Sequence, residues 1–578
     1  MINSIKNNKY IFSLAKILSI VEPEKKHLLS IAPFFFILPI LDLVSLSAVI
    51  PFISYSVGEE IDFNHFDFLV NTSLSKEMSI IYFGIALIFL FSLKTLLTLY
   101  FHRRIIKVSA ALDVRLKNTL CRSYFARPLI KSTEIHSTEN IINLTEAAED
   151  FANVFILTLL RIISELIIFL SILAYLIWVI GVSVFLLSIF LLSAALIFHN
   201  FIGYKSKNYG VIANQVRGKI IKNLNEGLLG IRELKIYSIK NFFLDNINKA
   251  SKSYARSKVN SRFIQILPRY LFEYIFVFII VVSVIFYSSL FTVKQITPIL
   301  GLIGFAALRV LPIFSSFTSN LSKLEHSYDS FKRVYRDIKE SDNYKSSVTS
   351  KKYKLSKSSL HIRNLSFVFD DNSPKILDNL NLNIKFGEII GIFGESGSGK
   401  TTLINIMLGL LRPSSGKVCY GDKDLFKLKS NWYEECAYIP QEPFLIEGSI
   451  RDNIALGVQA DLVDYQLLEK CIKDTALDGF ISGLKEGYFS EIGESGSRLS
   501  GGQKQRISIA RALYFQRNIF FLDEPTSALD QKNEKEIIKL IMNFKDKKTI
   551  VIISHNKESL KLCDRLFNLE NGKLKELT

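Results

Sequence analysis

The residues best suited to chemistry in this chain form one short run, Gly394-Glu395-Ser396-Gly397-Ser398-Gly399-Lys400-Thr401, with Thr402 behind it. The spacing fits G-x-x-x-x-G-K-[ST], which by itself supports only a hypothesis of phosphate binding. The surroundings add what the pattern lacks. The apolar run from Glu388 to Phe393 leads in as a strand, and Thr401 to Leu408 reads as the helix that follows. Glycines here let successive backbone N–H groups turn toward an anion, and the helix N-terminus adds its positive end. In this reading Lys400 reaches the β- and γ-phosphates of a nucleotide, and Thr401 holds Mg²⁺.

Other polar residues end apolar runs. Phe369 closes the run from Leu360 and suits stacking on a nucleobase, although a lone aromatic is more often core. Gln441 follows Ala437-Tyr438-Ile439-Pro440, where a side-chain amide can ligate Mg²⁺ and orient water. Ser500-Gly501-Gly502-Gln503 opens a helix with a hydroxyl, close backbone approach and a dipole end aimed at an anion. The bland reading of the same tripeptide is an N-cap. Asn518 to Leu522 is a strand buried on both faces that ends in Asp523-Glu524, where carboxylates face a ligand crevice. There Asp523 would hold Mg²⁺ through water and Glu524 would polarise the attacking water. Ser527-Ala528-Leu529-Asp530 follows directly. Thr549 to Ser554 is another such strand, and His555 at its end can sense a γ-phosphate. Taken singly, an Asp-Glu pair or a lone His is usually surface or structural; their order along the chain carries more weight.

The elements that must position these residues belong to a large, apolar chain. At 578 residues it needs more than one core. Hydrophobic content is 49% with 45 Phe, and mean hydropathy is +0.25. The formal charge of +17 fits Lys and Arg gathered in cytoplasmic loops, with no need for nucleic acid as a partner. Cys121, Cys419, Cys436, Cys471 and Cys563 lack metal-ligand spacing and read as free thiols in a reducing compartment. Six apolar spans can be cut near 29–53, 79–101, 153–178, 181–202, 269–290 and 296–317. The 54–78 loop is acidic, whereas 102–150 and 203–262 are rich in Lys and Arg, which places both long loops and both termini in the cytoplasm. Each long loop runs on from a span as polar helical sequence and reverses, the second around Asn225 to Lys235. Residues 339–358 are Ser/Lys-rich and read as a linker.

Together the phosphate loop, Gln441, Leu499 to Gln503, Asp523-Glu524, Asp530 and His555 resemble the nucleotide-binding domain of ATP-binding-cassette (ABC) transporters. Glu491 to Gly496 looks like the loop that exporters of this family set against their membrane helices. The resemblance implies an all-α six-helix transmembrane domain, residues 1–338, joined through 339–358 to an α/β P-loop nucleotide-binding domain, residues 359–578. It implies ATP and Mg²⁺ as cofactors, hydrolysis through Glu524, His555, Gln441 and Lys400, and a site completed by Ser500 and Gly502 of a second copy. A homodimer in the bacterial inner membrane, with its ATPase domain in the cytoplasm, follows from that likeness.

Cargo is read from charges inside the spans, which are costly there and point to function. Lys94 and Arg309 have no acid three or four positions away, while Arg161/Glu165 and Arg269/Glu273 have the spacing to pair with themselves. Lys94, Arg269 and Arg309 suggest a basic lining for an anionic lipid-linked substrate. Phe63, Phe66, Val70 and Leu74 suggest a short amphipathic helix on the outer surface. With the first span's exit, Pro39 to Ile53, and Leu267 to Glu273, the membrane half is similar to the bacterial PglK-type flippase of lipid-linked oligosaccharides. That resemblance implies outward flipping of a glycan on polyprenyl pyrophosphate, with Arg269 and Arg309 as cavity arginines and Lys94 where another arginine is expected. Lysine keeps the charge but lacks the bidentate fork. The alternatives are an exporter of another lipid, a drug or a peptide, or a channel or sensor that ATP only gates. The 28 residues before the first span leave no room for the N-terminal cysteine-peptidase domain of many peptide exporters.

Overall fold

The computed structural model describes residues 20, 25–48, 52, 76–134, 137–180, 208–287, 293–345, 355–370, 373–526 and 531–577. The fourth span at 181–202, the outer amphipathic segment and Asp530 lie outside the described residues. The chain divides into two compact units, Met1–Arg127 with Ser132–Tyr344, and Pro128–Lys131 with Lys345–Thr578.

The first unit is helical. Its long elements are α1 (Phe34–Ser47), α2 (Lys76–Ala126), α3 (Leu157–Ile180), α4 (208–229), the short α5 (Ile231–Ile236), α6 (Lys240–Tyr287) and α7 (Val293–Lys345). Among the described residues, two helical stretches, Ile80–Ala126 and Glu139–Tyr175, are long and apolar enough to cross a membrane. The 51 residues of α2 extend about 75 Å at about 1.5 Å each, more than twice a hydrocarbon core of about 30 Å. One helix therefore supplies both the second span and the start of the first long loop. The second loop reverses at Gly230, with α5 as its short tip element and α6 as the return. Helix α7 continues to Lys345, so the stretch read as a linker from 339 begins as helix.

Packing in this unit follows helical spacing. Leu112, Leu116 and Leu120 are fully buried one turn apart on α2, against Phe151, Phe155 and Phe331. Phe155 and Phe331 stack at 5.3 Å with their planes 8° apart. Nearer the start of α2, Phe101, Ile105 and Val108 close a second cluster with Ile31 and Leu38. On the opposite face Ile81, Ile85, Ile88 and Leu96 are each more than half exposed, as suits side chains that meet lipid.

The second unit is α/β. Strands β1 (Leu360–Phe367), β2 (Leu377–Ile384), β4 (Ser415–Tyr420) and β5 (Lys423–Asp424) form an antiparallel sheet in the order β2-β1-β4-β5. A second sheet has the order β10-β9-β3-β8-β7-β6. Its strands are β3 (Ile389–Phe393), β6 (Cys436–Ile439), β7 (Ile519–Asp523), β8 (Thr549–Ser554), β9 (Arg565–Glu570) and β10 (Lys573–Leu577). All are parallel to their neighbours except the β9–β10 hairpin. Every residue of β7 and β8 is buried, which explains why their sequences are continuous apolar runs without alternation. In this sheet β3, β6, β7 and β8 all end on the same edge, and that edge carries the polar residues singled out above.

Candidate nucleotide-binding site

The phosphate loop leaves β3 at Gly394 and enters helix α8 (Lys400–Met407) at Gly399. Gly399 has φ +99°, and a Cβ there would lie 2.9 Å from Ile376 Cγ2. At Gly394 a Cβ would lie 2.5 Å from the Leu569 carbonyl oxygen, so the loop can hug β9 only because this residue has no side chain. Lys400 is 6% exposed, and its Nζ donates to the carbonyls of Gly394 at 2.8 Å and Glu395 at 2.7 Å. An ammonium has three donors, so one remains for a phosphate oxygen. The loop and its lysine thus form a ready anion cradle at a helix N-terminus.

Beside the cradle, Thr401 Oγ donates to Asp523 Oδ1 at 3.4 Å, and Tyr438 OH donates to Asp523 Oδ2 at 3.3 Å. Burial pushes the Asp523 carboxyl above its ordinary range. The hydroxyls of Thr401 and Tyr438 oppose the shift, the Glu524 charge adds to it, and Lys400 opposes it. A bound divalent cation would favour the ionised form. Among the described residues no cluster of three His, Cys, Asp or Glu could hold a metal. A hydroxyl and one carboxylate beside a phosphate cradle fit Mg²⁺, which takes few protein ligands and completes its shell from phosphate and water.

Glu524 and His555, from the ends of β7 and β8, touch: His555 Nδ1 lies 3.2 Å from Glu524 Oε2. An ionised carboxylate only accepts, so the imidazole donates from Nδ1. Glu524 has φ +50°, in the left-handed region, and its N–H donates to the Ile553 carbonyl at 2.9 Å. A side chain held there at a backbone cost of about 1–3 kcal/mol is a feature typical of functional sites. The sequence placed both residues at one sheet edge but gave no sign that they touch.

Ser500 caps helix α9 (Gly501–Tyr514) in a reciprocal capping box: its Oγ accepts from Gln503 N at 3.3 Å, and its N–H donates to Gln503 Oε1 at 2.8 Å. The capping and anion-binding readings therefore coexist. The cap fixes Gln503, while the N–H groups of Gly501 and Gly502 have no intrahelical acceptor. Phe369 is half exposed, edge-on to Phe367 at 5.0 Å.

Gln505 is a residue that the sequence reading missed. Its Nε2 donates to the carbonyls of Pro440 at 3.1 Å and Gln441 at 2.9 Å, and it is 3% exposed. It pins the backbone of the exposed Gln441 to α9, the helix that begins at Ser500. Nothing but its interior helical position marked it in the sequence. Gln505→Leu keeps the bulk and removes both bonds. With about 0.5–1.5 kcal/mol per bond, hydrolysis should fall by roughly tenfold while nucleotide-analogue binding changes little. Unchanged turnover would mean that Gln441 is held by other contacts.

In the helical unit, Lys94 on α2 is ion-paired with Asp42 on α1, and each is 7% exposed. Asp42 was not among the intramembrane charges singled out in the sequence, and its pairing across helices was not legible there. Arg269 pairs with Glu273 at 3.1 Å on an exposed face of α6. Arg309 lies on α7, and its side chain is outside the described residues. Glu165 accepts hydrogen bonds from Ser316 at 2.5 Å and Asn320 at 3.2 Å. Its spacing to Arg161 suggested self-pairing, but no ion pair between the two is present among the described residues.

Residues 377–527 match the family model described as ABC transporter. Over 214 residues the chain is 41% identical to the chloroplastic ABC transporter B family member 29 of Arabidopsis thaliana, covering 37% of this chain and 34% of that protein. It is 41% identical over 218 residues to the alpha-hemolysin translocation ATP-binding protein HlyB of Escherichia coli, covering 37% of this chain and 30% of HlyB. The match thus spans about a third of the length of these relatives. A solved bacterial Atm1-family ABC exporter with ATP bound is similar in fold across 94% of both chains, with TM-score 0.74 and 18% identity. The chain therefore carries an ABC transporter ATPase domain behind a helical, transmembrane-type domain, in the fold of an ABC exporter.

Proposed function

We propose that two copies of this chain form an ATP-driven exporter in the bacterial cytoplasmic membrane, with the ATPase domains in the cytoplasm. The observation that carries this reading is the convergence of Lys400, Thr401, Asp523, Glu524 and His555 on one sheet edge, in a chain that also holds long apolar helices. The nucleobase stacks on Phe369. The N–H groups of Gly394 to Thr402 and the Lys400 ammonium hold the phosphates. Thr401, Asp523 and Gln441 would hold Mg²⁺, whose charge offsets that of the phosphate oxygens. Glu524 accepts a proton from the attacking water as its oxygen bonds to the γ-phosphorus and the bond to the ADP oxygen breaks. His555 orients the Glu524 carboxylate. Ser500, Gly501, Gly502 and Gln503 of the second copy present their helix N-terminus to the γ-phosphate, so neither copy works alone.

For cargo, export of a lipid, drug or peptide is better supported than flipping of a polyprenyl-pyrophosphate oligosaccharide. The latter drew on Lys94, Arg269 and Arg309 as receptors for pyrophosphate; Lys94 pairs with Asp42 and Arg269 with Glu273, and the Arg309 side chain is outside the described residues. The test is reconstitution of the full chain in proteoliposomes with a fluorescent phospholipid, a lipid-linked oligosaccharide and a hydrophobic peptide offered separately. ATP-dependent movement of one of them against its gradient, with matching stimulation of hydrolysis, is expected. Movement only down a gradient would indicate an ATP-gated channel and overturn the exporter reading.

A further inference from the structure

A cavity of about 210 Å³ lies inside the helical unit, between α1, α2, α3 and α7. Its wall is mostly apolar, with Leu38, Phe101 and Ile168 among its residues, but it carries the polar groups of Asp42, Lys94, His102, Arg161, Ser164 and Glu165. This space is too large for a lone water and small for a whole drug-sized ligand, which suits one polar group with a short apolar stem.

The hydrogen-bonding state of the wall says which group. Both acids are engaged, Asp42 by Lys94 and Glu165 by Ser316 and Asn320. Arg161 shares the wall with Glu165, whose charge opposes its own, yet its Nε is sealed from solvent and has no hydrogen-bond partner among the described residues. A guanidinium stays charged at any physiological pH and offers five donors in a planar fork that matches an oxyanion. The cavity therefore has an unused guanidinium N–H donor sealed from water, which an entering oxyanion can satisfy.

We propose that this cavity is a binding site within each protomer for a phosphate-bearing group, received by Arg161, with its stem along Ile168. The proposal rests on the reading of the chain as a membrane exporter, and it concerns a pocket lined by helices of one protomer. Phosphate could arrive as a lipid headgroup from the bilayer or as a soluble ion.

The test uses the full chain in nanodiscs of phosphatidylcholine, probed by native mass spectrometry after addition of phosphatidic acid in one arm and inorganic phosphate in the other. One molecule of probe per protomer is expected on the wild type, with at least tenfold weaker occupancy in Arg161→Gln. Ile168→Trp, which keeps the arginine and fills the space, should give the same loss. Retention of phosphatidic acid alone assigns the site to a lipid headgroup, and retention of inorganic phosphate alone assigns it to a soluble ion; both support the proposal. Equal occupancy in wild type and both variants, or no retention in either arm, overturns it. ATP hydrolysis by wild type in the same nanodiscs separates the two readings. Hydrolysis without probe binding counts against this site only, whereas probe binding without hydrolysis counts against the exporter reading.

Discussion

Replacing Glu524 with Gln is expected to cut steady-state ATP hydrolysis by roughly 10²–10⁴-fold, the contribution of a positioned proton acceptor. ATP should still bind. The substitution conserves volume, and the amide oxygen can accept the hydrogen bond that His555 Nδ1 makes at 3.2 Å. The backbone at φ +50° stays anchored through its N–H to the Ile553 carbonyl, so the side chain keeps its aim. What is lost is basicity. The phosphate cradle contains none of the changed atoms, since Lys400 is held by the carbonyls of Gly394 and Glu395. Two measurements separate binding from chemistry: equilibrium binding of a fluorescent ATP analogue and phosphate release at saturating ATP. The variant should bind normally and accumulate as an ATP-loaded dimer. Phosphate release within a few-fold of wild type would show that another group accepts the proton.

The ATPase half was legible because its chemistry sits at the ends of continuous apolar runs. Strands β7 and β8 are buried throughout, so their sequences announce both the strand and the polar residue that follows it. Glycine spacing identified the cradle, because Gly394 and Gly399 stand where a Cβ would collide with neighbouring atoms. Contacts between residues distant in sequence were not legible. Gln505 reaches Gln441 across 64 positions, and the meeting of Glu524 with His555 depends on the pairing register of β7 with β8. The helical half was harder for a related reason. Apolar runs reveal spans, but lipid imposes no pattern that says which helix faces which. The local i,i+4 rule found Arg269 with Glu273 and suggested a pairing of Arg161 with Glu165 that is not made. It could not find Lys94 with Asp42, which are 52 positions apart on different helices.

That ion pair leads to the second large effect, on stability. Lys94→Met should sharply destabilise the helical unit, because Asp42 would remain as a carboxylate in a site that is 7% exposed. Removing one partner of a buried pair costs up to about 3–5 kcal/mol, since the remaining charge loses its paired counter-charge. Adding Asp42→Asn to Lys94→Met removes that carboxylate charge as well, so the double variant should recover most of the lost stability. A single variant less stable than the double is the signature of mutual compensation. The readout is the thermal unfolding midpoint of the purified chain in one detergent or nanodisc, compared across wild type, both singles and the double. A cation held for cargo gives the opposite pattern: Lys94→Met would leave the midpoint unchanged and lower only cargo-stimulated hydrolysis. The first pattern makes Lys94 a fixed wall of the cavity beside Arg161, so an oxyanion entering there would be received by Arg161 and not by Lys94. Such a site would select for shape and a single phosphate over high negative charge, which is the property that separates a simple lipid headgroup from a pyrophosphate-linked glycan.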